Sequence, residues 1–169
     1  MADATKLMPF ILKWEGGFSD KSADKGGATN KGVTLTTFRQ YYGASATVTD
    51  LKNITESQWL HIFRTGYWNP FRGDFINSQS VANACVDWAW HSGLKTAAKQ
   101  VQKLLGVTVD GFIGQKSVAA INAADSKQLF DKIIAARLAY VKNIVAKDST
   151  QKTFLKGWTN RINSLKYSD

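Results

Sequence analysis

Helical periodicity runs along most of this 169-residue chain and breaks clearly at one place, the glycine-punctuated stretch 16–35. Leu7, Phe10, Ile11 and Trp14 stand at the i, i+3, i+4, i+7 spacing of one helix face. Gly16, Gly17, Gly26, Gly27 and Gly32 follow among small polar residues and carry the convincing β signal, a small hairpin. Downstream, Thr36 to Tyr42 reads as a short helix ended by Gly43. Thr55-Glu-Ser-Gln58 is a capping box that opens a helix with Trp59, Ile62 and Phe63 inward. Tyr67 to Phe71 closes that helix as an aromatic corner. Residues 78–92 are apolar on nearly every side, which predicts a central buried helix. Leu94, Ala97, Ala98, Val101, Leu104 and Leu105 form the stripe of the next, ended by Gly106. Helices near 115–122, 126–146 and 152–166 complete a mostly helical α+β fold.

The length suits one domain, and no linker or low-complexity run divides it. Charge does divide it. Residues 1–90 carry nine Lys/Arg against eight Asp/Glu, whereas residues 91–169 carry 13 against five. The reading is one domain, 1–169, with a near-neutral lobe over 1–90 and a basic helical lobe over 91–169. A basic half suits either an anionic partner or a merely solvated helix surface. Cys85 has no disulfide partner and sits among apolar neighbours, as a small core hydrophobe does. His61 and His91 with one cysteine do not make a structural zinc site. No apolar run approaches the roughly 20 residues of a membrane span. The N-terminus leads into an amphipathic helix rather than a signal peptide, so synthesis in the cytoplasm is expected.

Glu15 lies where the first helix meets the glycines. A carboxylate there is held by a rigid element beside backbone that a substrate can approach closely. Trp14 and Phe18 flank it, and apolar neighbours raise a carboxyl's pKa towards that of a general acid. Asp24 and Thr29 follow across the first turn. Hydrolysis of a glycosidic bond needs such a pair: one protonated carboxyl for the leaving oxygen, and one carboxylate to activate water or stabilise the sugar cation. That reaction needs neither metal nor organic cofactor. Asp20 and Asp24 can equally serve as Asx-turn formers.

The run from Glu15 to Asp20 and the run from Asp24 through Gly26, Gly27, Thr29, Asn30 and Gly32 to Thr34 resemble the signature of glycoside hydrolase family 108. Tyr67-Trp68 and Asp87 to Gly93 resemble later blocks of that family, Val101 to Gly106 and Asp110 to Gly114 resemble its carboxy-terminal peptidoglycan-binding region, and Gly157-Trp158 its closing motif. By that resemblance 1–90 would be the catalytic lobe and 91–169 a peptidoglycan-binding one. The resemblance implies a lysozyme-like fold and a peptidoglycan N-acetylmuramidase of the phage endolysin kind, with Glu15 as catalytic acid. Asp24 and Thr29 would complete the catalytic set, although Thr29 stands one residue closer than in the similar triad of phage-type lysozymes. Phe18, Asn30, Tyr67, Trp68 and His91 are the expected substrate contacts. His91 replaces an asparagine common in the family, and it can line a cleft or simply end a helix. Tyr67 and Trp68 can stack on sugar rings or belong to the core. The implied partner is peptidoglycan, with no nucleic acid, no stable membrane insertion and a monomeric protein acting in the periplasm or on the wall. A lytic transglycosylase and a non-catalytic wall-binding or secretion-helper protein are the alternatives.

Overall fold

A two-residue turn decides the geometry of the glycine-rich stretch. The computed structural model describes residues 1–20 and 27–169, and among these β1 (Thr29–Asn30) and β2 (Val33–Thr34) pair antiparallel. Lys31 and Gly32 connect them with φ of +50° and +78°, the double left-handed turn whose twist matches a hairpin. Glycine takes that conformation freely, but Lys31 takes it at a cost of about 1–2 kcal/mol. The Trp59 indole N–H helps hold it by donating to Lys31 O at 2.9 Å. The β signal in the sequence is therefore a real hairpin, in an otherwise mostly helical α+β molecule.

Two compact units emerge, one from Ala4 to Gly66 and one from Tyr67 to Asp169 together with Met1–Asp3. In the first, α1 (Ala4–Trp14) buries Ala4, Leu7, Met8 and Ile11, while Phe10 and Trp14 are only half-buried. Burying a side chain such as Leu7 or Ile11 is worth about 1.5–3 kcal/mol, which anchors the helix against α4 (Glu56–Phe63). The expected capping box opens α4: Thr55 N donates to Gln58 Oε1 at 3.0 Å and Gln58 N to Thr55 Oγ1 at 3.1 Å. After the hairpin comes α2 (Leu35–Tyr42), capped by Thr34, and then α3 (Val48–Lys52), which periodicity did not predict. Five residues are too few for a periodic signal, but Thr47 and Asp50 form a second reciprocal capping box. Past α4 the chain does not stop at an aromatic corner. It continues as a π-helical turn, Arg64–Trp68.

The second unit is built on α5 (Gln79–Ser92). Its apolar residues pack against α6 (Leu94–Leu105) and α8 (Ser126–Lys147), and α8 packs in turn on α9 (Lys152–Ser164). The short α7 (Gln115–Ala123) lies between α6 and α8 in the chain. Cys85 is fully buried and burial pushes its thiol up to about 12, so it is the inert core residue expected. Asp87 is buried in the middle of α5. It accepts from Arg137 Nη2 of α8 at 2.9 Å and from Arg161 Nη2 of α9 at 2.7 Å. Burial alone would raise this carboxyl, but the two guanidinium charges outweigh it and hold the pKa below the usual value.

Packing and charge thus divide the chain at different places. The compact units part after Gly66, whereas basic charge sets in near residue 90, because α5 and α6 pack on one another across that point. Among the described residues no helix is long and apolar enough to cross a membrane.

Candidate active site

Glu15 ends α1 at a fixed place. Its backbone N–H donates to Ile11 O at 3.0 Å, so the helical ladder reaches the catalytic candidate itself. Past it, the positions where Gly16 and Gly17 would carry Cβ atoms meet nothing within 4 Å among the described residues. The side chain is half-buried beside Trp14, whose indole N–H is buried without a hydrogen-bond partner among the described residues.

Four residues on, the chain pairs with the hairpin. Ser19 and Thr29 exchange two backbone hydrogen bonds, each 2.8 Å, so β1 is tied to the segment that leaves Glu15. This brings the Thr29 backbone against Ser19, four residues past Glu15. Asp24 lies outside the described residues. Phe18 is 36% exposed, with the Lys52 ammonium 5.5 Å from its ring centroid. An exposed ring with a cation over it can present a face to a sugar or to an acidic group.

Asn30 has a different use from the one expected. It is 5% exposed, and its Nδ2 donates to Leu51 O at 3.1 Å and Lys52 O at 3.0 Å. Both amide hydrogens serve the carboxy-terminal end of α3. Asn30 therefore braces the hairpin and, through Lys52, the neighbourhood of Phe18.

In the second unit, Trp68 corrects the sequence reading. It is 0% exposed, its Nε1 donates to Asp74 Oδ1 at 2.7 Å, and its ring lies so close to Gly73 that a Cβ there would fall 2.3 Å from Cε2. A ring enclosed in this way cannot stack on a substrate. Tyr67 remains half-buried, with Trp90 at 4.8 Å between ring centroids. His91 stands edge-on to Trp158 at 6.0 Å, and Trp158 stacks on Phe154 at 5.7 Å. Phe154, 54% exposed, escaped the sequence reading. Its i, i+4 spacing to Trp158 on one helix face was the available signal.

Comparison with known proteins gives the family of the chain. Residues 8–93, which include Glu15 and the hairpin, match the family model described as Glycosyl hydrolase 108. The chain belongs to glycosyl hydrolase family 108. Residues 96–163 match a second family model, described as Predicted Peptidoglycan domain. The solved structure of Brucella abortus SagA is similar at 37% sequence identity and a TM-score of 0.79, covering 96% of this chain and 90% of that one. No curated protein matches. The family 108 chain is thus a glycoside hydrolase with a peptidoglycan-binding segment, that is, a peptidoglycan hydrolase, with the fold expected from its sequence. The boundary between the two matched segments lies near the change in charge rather than at the packing boundary.

Proposed function

We propose that the protein is an N-acetylmuramidase that cleaves the β-1,4 bond between N-acetylmuramic acid and N-acetylglucosamine, with Glu15 as general acid. The observation that carries this is Glu15 itself, held by the helical ladder beside the open Gly16-Gly17 backbone, inside the segment that matches the glycosyl hydrolase family. Glu15 protonates the glycosidic oxygen as the bond breaks. Asp24 positions or activates the water that attacks the sugar, and Thr29 assists from β1. Phe18, Tyr67 and His91 contribute substrate contacts. The protein is made in the cytoplasm and reaches the wall by release or assisted export, as an endolysin of phage or prophage origin does.

Glu15→Gln tests the reading, because glutamine keeps the shape and cannot deliver the proton. Loss of general acid catalysis costs about 10²–10⁴-fold in rate. Clearing of purified sacculi should fall by that factor with the melting temperature unchanged. Undiminished clearing by a folded Glu15→Gln protein would refute the assignment. Mass spectrometry of the released muropeptides separates hydrolysis from transglycosylation, which leaves an anhydro sugar instead of a reducing end.

Asp24→Asn makes a second test. If Asp24 activates water, its loss should silence hydrolysis nearly as completely as the loss of Glu15. Retained activity with reducing-end products would transfer that role to another carboxylate, Asp20 first.

A further inference from the structure

One buried glutamine organises the surface loop 106–114 between α6 and α7. Gln102 Nε2 shares its two hydrogens among Asp110 Oδ1 at 2.8 Å, Phe112 O at 2.9 Å and, more distantly, Ser117 Oγ at 3.2 Å, and Gln102 Oε1 accepts from Gly111 N at 2.9 Å. Asp110 also accepts from Phe112 N at 2.9 Å. The loop is thereby fixed from within, and what it holds outward is Phe112, 72% exposed. A rigid loop that presents a large aromatic to water has a use for it, because burying such a ring would contribute about 1.5–3 kcal/mol.

Phe112 is a shared wall of two concavities. The larger, about 830 Å³, has a mixed lining in which Arg72, Asp110, Gln115 and Lys116 supply charged and polar groups beside Val107 and Phe112. Arg72 has φ of +56°, a conformation that non-glycine residues rarely take. The smaller, about 160 Å³, is chiefly apolar and lies among Pro70, Phe71, Leu94, Ala98 and Ile113, with Lys95 the one charged residue of its lining. The pair discriminates between the two halves of peptidoglycan. A sugar ring in the apolar recess would strand hydroxyls without partners, at about 1–3 kcal/mol each. A peptide that ends in alanine brings a methyl for the recess and a carboxylate for the cations.

We propose that this face binds the peptide stem of peptidoglycan, with a stem carboxylate on Arg72 and Lys116 and an alanyl methyl in the recess against Phe112. Asp110 offers its charge to the ammonium of the stem's diamino acid. The inference rests on the peptidoglycan hydrolase reading and adds to it what the carboxy-terminal segment recognises: peptide, not glycan.

The test is calorimetric titration of the full-length protein with the free stem tetrapeptide (L-alanyl-γ-D-glutamyl-diaminopimelyl-D-alanine) and, separately, with peptide-free glycan chains. The tetrapeptide should bind, and its affinity should fall at least 10-fold in the Arg72→Gln/Lys116→Gln double variant and in Phe112→Ala. Glycan binding should be unchanged in both. Amide chemical-shift changes on the wild type should centre on Gly111, Phe112 and Lys116, a readout that stands even if a variant misfolds. Equal tetrapeptide binding by a folded double variant, or loop shifts caused by glycan alone, would overturn the proposal. If the wild type cleaves sacculi but binds no tetrapeptide, this inference falls and the hydrolase reading stands. If it neither cleaves nor binds, both fall.

Discussion

Asn30 shows how far a side chain's chemistry can be read without its neighbours. In the sequence it sits in the run around Glu15 and can be given to the substrate. In the folded chain its Nδ2 meets two carbonyls of α3, and only the structure reveals this because those partners are 21 and 22 residues away. Asn30→Asp should therefore damage the fold before it damages catalysis. The substitution replaces a donor with a charged acceptor facing Leu51 O and Lys52 O. A buried group left unsatisfied costs about 1–3 kcal/mol, and more when charged. Urea unfolding should show a loss of that order, and unchanged stability would hand the side chain back to the substrate. Trp68 makes the complementary point, since its type suits both a sugar platform and a core. The close approach to Gly73 decides for the core. The place of Glu15 at the end of α1 was legible because its signal is local: a helix face ending at a glycine pair.

At the scale of elements, what could be read depended on length and on caps. Helices with a full apolar face, such as α5 and α6, were placed within a residue or two, and the Thr55–Gln58 box marked the start of α4. The five-residue α3 and the π-helical turn Arg64–Trp68 have no periodicity to read, so both were missed. The brace of loop 106–114 was equally hidden, because nothing in a glutamine within an amphipathic helix announces that it points inward. Its role has a direct test. Gln102→Leu keeps the bulk and removes all four contacts to the loop and Ser117. Hydrogen exchange at the Gly111 amide should then accelerate by at least 10-fold while the helical circular dichroism holds. Unaltered exchange there would mean that the loop is fixed by something other than Gln102.

For the molecule as a whole, charge acts in two ways that respond to different conditions. Inside, Asp87 joins α5 to α8 and α9, and its carboxyl is held below the ordinary value near 3.9. A depressed folded-state pKa stabilises fully above the unfolded value and is lost as pH falls through the folded one. Asp87→Asn should flatten the loss of stability below about pH 4. It should also cost about 3–5 kcal/mol at neutral pH, since two arginines lose their buried counter-charge. Outside, the excess cations of residues 91–169 meet a polyanionic wall, and exposed charges are screened beyond roughly 10 Å at 0.1 M salt. Sacculus binding and clearing should therefore weaken steeply with ionic strength. Lys95, Lys99 and Lys103 lie one turn apart along α6 and are the residues to neutralise. Two of them also support the loop, since a Cβ at Gly111 would come within 2.8 Å of Lys95 Cγ and 3.4 Å of Lys99 Cγ. Replacement by glutamine retains that Cγ and removes the charge, so it separates the two roles. The triple Lys→Gln variant should bind sacculi more weakly in low salt and show a flatter salt response, while melting as the wild type does. Unchanged pull-down across the salt series would make this face a solvated surface and move the wall contact elsewhere on the basic half.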